Sequence, residues 1–163
     1  VTAWVALTDA PIEAGCMEVV PGSHKLGQLP HAEMQDPENL LSRGQSLAVD
    51  VDRSRTAFMP VKAGQFSLHH THLVHNSRPN RYHDRRIGLG ISYIPTWARC
   101  TSRNRVTAML VRGKDEHGNF DDERRPREDA GPAERAFHAE AVARFRAMNV
   151  VESQENKVAV VKR

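Results

Sequence analysis

The sequence has little cysteine, no long apolar run and no internal repeat. Two cysteines in 163 residues, Cys16 and Cys100, are too few for a disulfide framework, so the fold must be held by its core. No membrane span or signal-peptide pattern is read, and a reducing cytoplasm is the expected setting. The net charge is only +3, and no basic run is interleaved with aromatics, so neither nucleic acid nor a membrane is an expected partner. What is present is an ordinary composition, 39% hydrophobic and 26% charged, in a chain long enough for one domain with a core.

Residues 2–7 alternate as a strand and are broken by Asp9-Ala10-Pro11. Residues 16–20 form a second short strand, stopped by Pro21-Gly22, with Ser23 placed to cap the turn that follows. Residues 26–46 are polar, hold Pro30 and Pro37, and lack strand patterning; a short helix is expected over 37–42, and such an insert suits a substrate lid. Strands are expected over 47–51, 56–59 and 105–111. Residues 113–129 read as a charged surface loop, since the spacing of Asp115, Glu116, Asp121, Asp122 and Glu123 does not match a calcium loop. Pro132 opens a helix to Met148 in which Phe137, Ala141, Phe145 and Met148 form an apolar stripe suited to core packing. One domain over 1–163 is expected, with a β core over 1–112 followed by loop, helix and tail.

Residues 64–95 are the centre of the chain, holding five of its nine histidines: His69, His70, His72, His75 and His83. Gly64 is the turn before a strand at 65–70, Ser77, Pro79 and Asn80 are turn residues, and 86–94 is a second strand ended by Pro95. A histidine ending one strand and an arginine opening the next can face one cavity, as a metal held beside a carboxylate-bearing ligand requires. Strand alternation turns Arg85 to the face opposite Arg86.

His75-Asn76-Ser77, Pro79-Asn80 and Arg86-Ile87-Gly88-Leu89 place a serine two residues and an arginine eleven residues beyond a histidine. Upstream stand Val19-Val20-Pro21-Gly22-Ser23-His24-Lys25 and the strand bearing Trp4. These pieces, taken in chain order over roughly residues 1–112, resemble the phytanoyl-CoA dioxygenase family of non-haem iron oxygenases that use 2-oxoglutarate. The resemblance implies a mainly β fold, a double-stranded β-helix (jelly roll, cupin-like), with one C-terminal helix. It implies His75 as an Fe(II) ligand, Arg86 and Ser77 on the distal carboxylate of 2-oxoglutarate, and Trp4 as the wall of that site. The expected reaction is hydroxylation of a small organic or acyl substrate by molecular oxygen, coupled to decarboxylation of 2-oxoglutarate. Halogenating relatives differ at a ligand position that this sequence does not include. The turn arginines Arg78 and Arg81 would suit an anionic substrate.

The family's His-x-Asp iron motif precedes the position of Trp4, and falls upstream of Val1. The chain is therefore expected to be the later part of a jelly roll, incomplete at its N-terminus. Its edge strands would need cover from the preceding segment or from a second chain in an oligomer. With His75 alone of the ligand triad, such a chain should hold Fe(II) poorly.

Other readings compete. Gly64, five residues, His70-Thr71-His72 opens like a cupin metal motif, but no glutamate follows, and two ligands rarely hold a metal. His24 reads as a turn residue. His31-Ala32-Glu33 and His138-Ala139-Glu140 read as chance His-x-acid pairs. From a different class stands a non-catalytic cupin-like binding or scaffold domain without a complete metal site.

Overall fold

The computed structural model describes residues 1–33, 45–100 and 105–161; the expected helix over 37–42 lies outside them. Its contacts divide the chain into two compact units, Val1–Tyr93 and Ile94–Arg163.

The first unit is built on strands β1 (Thr2–Ala6), β2 (Met17–Val19), β3 (His31–Glu33), β4 (Gln45–Leu47), β5 (Ala57–Met59), β6 (Phe66–His69), β7 (His75–Ser77) and β8 (Gly88–Ser92). They form two three-stranded antiparallel sheets, ordered β6-β1-β8 and β5-β2-β7, with β3-β4 as a separate hairpin. β1 and β2 therefore lie centrally among the described strands, each flanked by partners from far along the chain.

Register sorts the side chains, because directly paired residues of an antiparallel sheet share a face. Trp4 pairs with Ser67 and Thr2 with His69, so these four lie on one face of β6-β1-β8. Phe66, Leu68 and Leu89 lie on the other, where each is more than half exposed. In the second sheet His75 and Ser77 pair with Val19 and Met17, whereas Glu18 pairs with Asn76 and Phe58 on the reverse face. The sheets meet where the His69 and His75 rings lie 5.4 Å apart, and where Arg86 reaches Ser77. The apolar core is made of small side chains, Ala3, Ala6, Ala10, Ala14, Cys16 and Val19, which let backbones approach closely.

Glu18 is the one carboxylate buried among the described residues. Its side chain is 1% exposed, and it accepts from Arg78 Nε at 2.9 Å, Arg78 Nη2 at 2.8 Å and Thr56 Oγ1 at 2.6 Å. The bonds from Arg78 and then Thr56 hold its carboxyl at about 2, against the burial that pushes the other way. Arg78 also lies over the Phe58 ring, 4.8 Å from its centroid. Its fork is spent on Glu18 rather than offered to an anionic substrate.

Ser23 does not cap its turn. Gly22 stands at the N-cap with φ 82° and the turn has no side-chain cap; the Ser23 hydroxyl instead accepts from the Val74 N–H at 2.8 Å, tying the Pro-Gly-Ser-His segment to the approach of β7.

The second unit holds a parallel pair, β9 (Thr107–Ala108) with β10 (Asp121–Asp122), and the helix α1 (Pro132–Val161). The expected strand over 105–111 shrinks to two residues, and the loop at 113–129 contains β10. Asp121 holds Arg105 and Arg144, both at 2.7 Å. Asp115 accepts from the His117 and Gly118 N–H groups, a local turn that agrees with a surface loop. Along α1, Phe137 and Ala141 are half-buried but Phe145 is 55% exposed, so the apolar stripe is only partly covered within the described side chains. No described helix is long and apolar enough to cross a membrane.

Candidate oxoglutarate and metal site

Trp4, Ser77 and Arg86 come together. Arg86 Nη1 donates to Ser77 Oγ at 3.0 Å, and its guanidinium lies over the Trp4 ring, 5.4 Å from the centroid. Each contact has a local cause. The Thr8 hydroxyl donates to the Arg85 carbonyl at 2.9 Å and accepts from the Ile87 N–H at 2.8 Å, so it fixes the backbone on both sides of Arg86. Trp4 lies across Gly88, where any Cβ would collide with its indole. Thr8→Val should therefore loosen the backbone on both sides of Arg86, read as faster amide exchange at Ile87 and a loss of about 1 kcal/mol of stability, the value of one or two hydrogen bonds. Gly88→Ala should displace the Trp4 ring, read as a changed tryptophan emission with the fold retained by circular dichroism.

Arg86 is half-buried, and burial pulls its guanidinium below its ordinary value. Among the described residues no carboxylate pairs with it; the four ion pairs found there involve Arg78, Arg105 and Arg144. A partly desolvated cation with a neutral hydroxyl at its side is set up to receive an anion.

His75 lies two residues before Ser77 on the same face of β7. Its Nδ1 is 2.7 Å from the Leu73 carbonyl. A carbonyl oxygen only accepts, so Nδ1 carries a proton, and in the neutral ring Nε2 then holds the lone pair that a metal needs. Beside it His69 is buried, with Nδ1 unpaired among the described residues; burial, then the neighbouring His75, pushes its pKa down. Among the described residues no group of three or more His, Cys, Asp or Glu can hold a metal ion. The residues present thus fit one ligand of an Fe(II) site and not its full set.

His75 also lines a cleft of about 320 Å³, together with Gln28, His31, Leu47, His72 and Leu73; Ser77 and Arg86 are not among its lining residues. His70 and His72 lie with ring centroids 5.1 Å apart, and His24 is 5.5 Å from His70. Sequence reasoning missed Glu18 and Thr8, and named Gly88 in a motif without its contact to Trp4. A glycine or threonine whose task is to place a side chain far away in sequence carries no local signal.

The profile of the phytanoyl-CoA dioxygenase family matches residues 1–88, more than half of the chain. The chain belongs to the phytanoyl-CoA dioxygenase family. A Bos taurus relative, phytanoyl-CoA dioxygenase domain-containing protein 1, is 33% identical over 79 residues, covering 47% of this chain and 27% of its own length. Among solved structures, apo ThoJ, a non-heme monooxygenase, is 34% identical with a TM-score of 0.69, covering 99% of this chain and 55% of its own. The ThoJ–Ni complex is 31% identical with a TM-score of 0.71, covering 90% of this chain and 50% of its own. This member of the phytanoyl-CoA dioxygenase family thus spans about half the length of those structures, and about a quarter of the bovine protein. The likeness bears out a mainly β jelly roll with one helix.

Proposed function

We propose that the protein is a cytoplasmic Fe(II)- and 2-oxoglutarate-dependent dioxygenase that hydroxylates a small organic or acyl substrate. The observation that carries this reading is Arg86: a half-buried guanidinium, stacked on Trp4, bonded to Ser77 and lacking a carboxylate among the described residues. Its planar fork suits the distal carboxylate of 2-oxoglutarate, which Ser77 would bond from the side while Trp4 keeps water from that face. His75, with its proton fixed on Nδ1 by Leu73, would present Nε2 to the iron. The bound iron would supply the oxygen activation coupled to decarboxylation of 2-oxoglutarate. Family membership and the likeness to a non-heme monooxygenase support the reading.

Anaerobic calorimetry with Fe(II), with and without 2-oxoglutarate, tests the metal. The chain is expected to bind Fe(II) weakly, and His75→Ala to abolish that binding and, in the full-length protein, oxoglutarate turnover. Tight one-to-one binding that survives His75→Ala would move the metal elsewhere, with His69, His70 and His72 the first suspects.

A further inference from the structure

The cleft beside His75 has two walls, and both are held by hydrogen bonds. One wall follows the Pro-Gly-Ser-His segment: the Gly27 N–H donates to the His24 carbonyl at 3.3 Å, and the Ala48 N–H to the Pro30 carbonyl at 2.9 Å. It presents Gln28, Leu29, His31 and Leu47. The other wall is the turn between β6 and β7. There the His72 N–H donates to His70 Nδ1 at 3.0 Å, the Leu73 N–H to the His70 carbonyl at 3.0 Å, and the Val74 N–H to Ser23 Oγ at 2.8 Å. It presents His72, Leu73 and Val74.

The chemistry of the lining is mixed in a specific way. Leu29, Leu47, Leu73 and Val74 are each half-buried and give an apolar surface. Gln28 Nε2 lies 3.4 Å from His31 Nδ1. An amide N–H only donates, so Nδ1 accepts and the ring's proton sits on Nε2, free to meet an oxygen. His72 adds a second imidazole from the facing wall. The volume, about 320 Å³, lies at the low end of ligand pockets, which run from about 300 Å³.

We propose that this cleft is the substrate site, and that His31 and His72 hydrogen-bond a carboxylate or carbonyl oxygen of an amphiphilic substrate. Its carbon skeleton lies on Leu29, Leu47 and Leu73, within reach of the chemistry at His75. The substrate class is a small molecule with an aliphatic body and an oxygen-acceptor end. The proposal rests on the oxygenase reading for what happens at His75, but the binding it describes does not require the metal.

The test is a titration of the metal-free protein with sodium octanoate, followed by NMR of the histidine side chains, with octylamine as the comparator. Octanoate should shift His31 and His72 saturably, and octylamine should not. His31→Ala and His72→Ala should each weaken octanoate binding about tenfold, the loss of one hydrogen bond to a charged group, and His31→Gln should restore most of it. Equal binding of octylamine, or octanoate binding untouched by either alanine variant, overturns the proposal. A separate titration with 2-oxoglutarate, read at Trp4, keeps the two readings apart. Loss of the octanoate response with Trp4 still responding sinks the cleft assignment alone, and the converse sinks the oxoglutarate site alone.

Discussion

Arg86→Ala is expected to weaken 2-oxoglutarate binding by roughly thirty-fold to several thousand-fold, about 2–5 kcal/mol, the cost of removing one partner of a desolvated, hydrogen-bonded charge pair. Calorimetric titration of wild type and variant measures it directly. Arg86→Lys should fall between the two, because an ammonium keeps the charge but loses the planar fork that matches a carboxylate. The ligand-free variant should fold as well as the wild type, within about 1 kcal/mol. Removing a half-buried cation with no carboxylate partner among the described residues relieves a desolvation cost, which offsets the lost contacts to Ser77 and Trp4. A binding loss without a stability loss separates recognition of oxoglutarate from a purely structural role. An unchanged affinity would remove Arg86 from the site.

The largest effect on stability is expected at Arg78, and it should be asymmetric. Glu18 is 1% exposed and Arg78 49%, so the two partners fare differently when left alone. Arg78→Ala strands a buried carboxylate and should cost about 3–5 kcal/mol. Glu18→Gln leaves a guanidinium that water can reach and should cost less, about 1–2 kcal/mol. Chemical denaturation of the two variants at neutral pH orders them, and equal losses would show that burial of Glu18 is not what makes the pair matter. The same pair sets an acid limb. The folded carboxyl titrates at about 2 against an ordinary 4.5, so its contribution is complete above pH 4.5 and is lost as pH falls towards 2. That contribution is about 1–2 kcal/mol once the exposure of Arg78 is allowed for, in line with the loss expected for Glu18→Gln. In Glu18→Gln this limb should disappear from the stability profile.

The strands that the sequence announced are those with alternation and hard stops. β1, β2, β5, β6 and β8 each fall inside an expected span, because Pro, Gly and turn residues bound their apolar patterns. β7 was not legible: His75-Asn76-Ser77 is three polar residues, and it becomes a strand only by pairing with β2, nearly sixty residues earlier. The hairpin β3-β4 was hidden in the same way inside a polar, proline-bearing stretch, and the strand expected over 47–51 sits earlier, at Gln45–Leu47. The helix begins at Pro132 as its N1 proline and first-turn Glu134 require, but it runs on to Val161, past the apolar stripe that suggested its end.

The candidate site was legible to the extent that spacing encodes it. The interval from His75 to Ser77 and Arg86 reflects one strand and one crossover, and the structure joins Arg86, Ser77 and Trp4 in one cluster. What surrounds the cluster was not legible. Arg78 stands on a turn among polar residues and looked available to a substrate; only the fold shows that Glu18, sixty positions away, takes its charge. His31 looked like a chance neighbour of Glu33 until the hairpin carried it to the cleft that His75 lines.

The central claim is that the Trp4–Ser77–Arg86 cluster is a 2-oxoglutarate site, and the most direct test reads Trp4 itself. The chain has two tryptophans, so a Trp97→Phe background leaves Trp4 as the sole reporter. Its fluorescence, followed through an anaerobic titration with 2-oxoglutarate in the presence of Fe(II), should change saturably, and Arg86→Ala should remove the response. A flat titration in the wild-type background, or an equal response without Arg86, would contradict the account and leave a cupin-like scaffold as the better description.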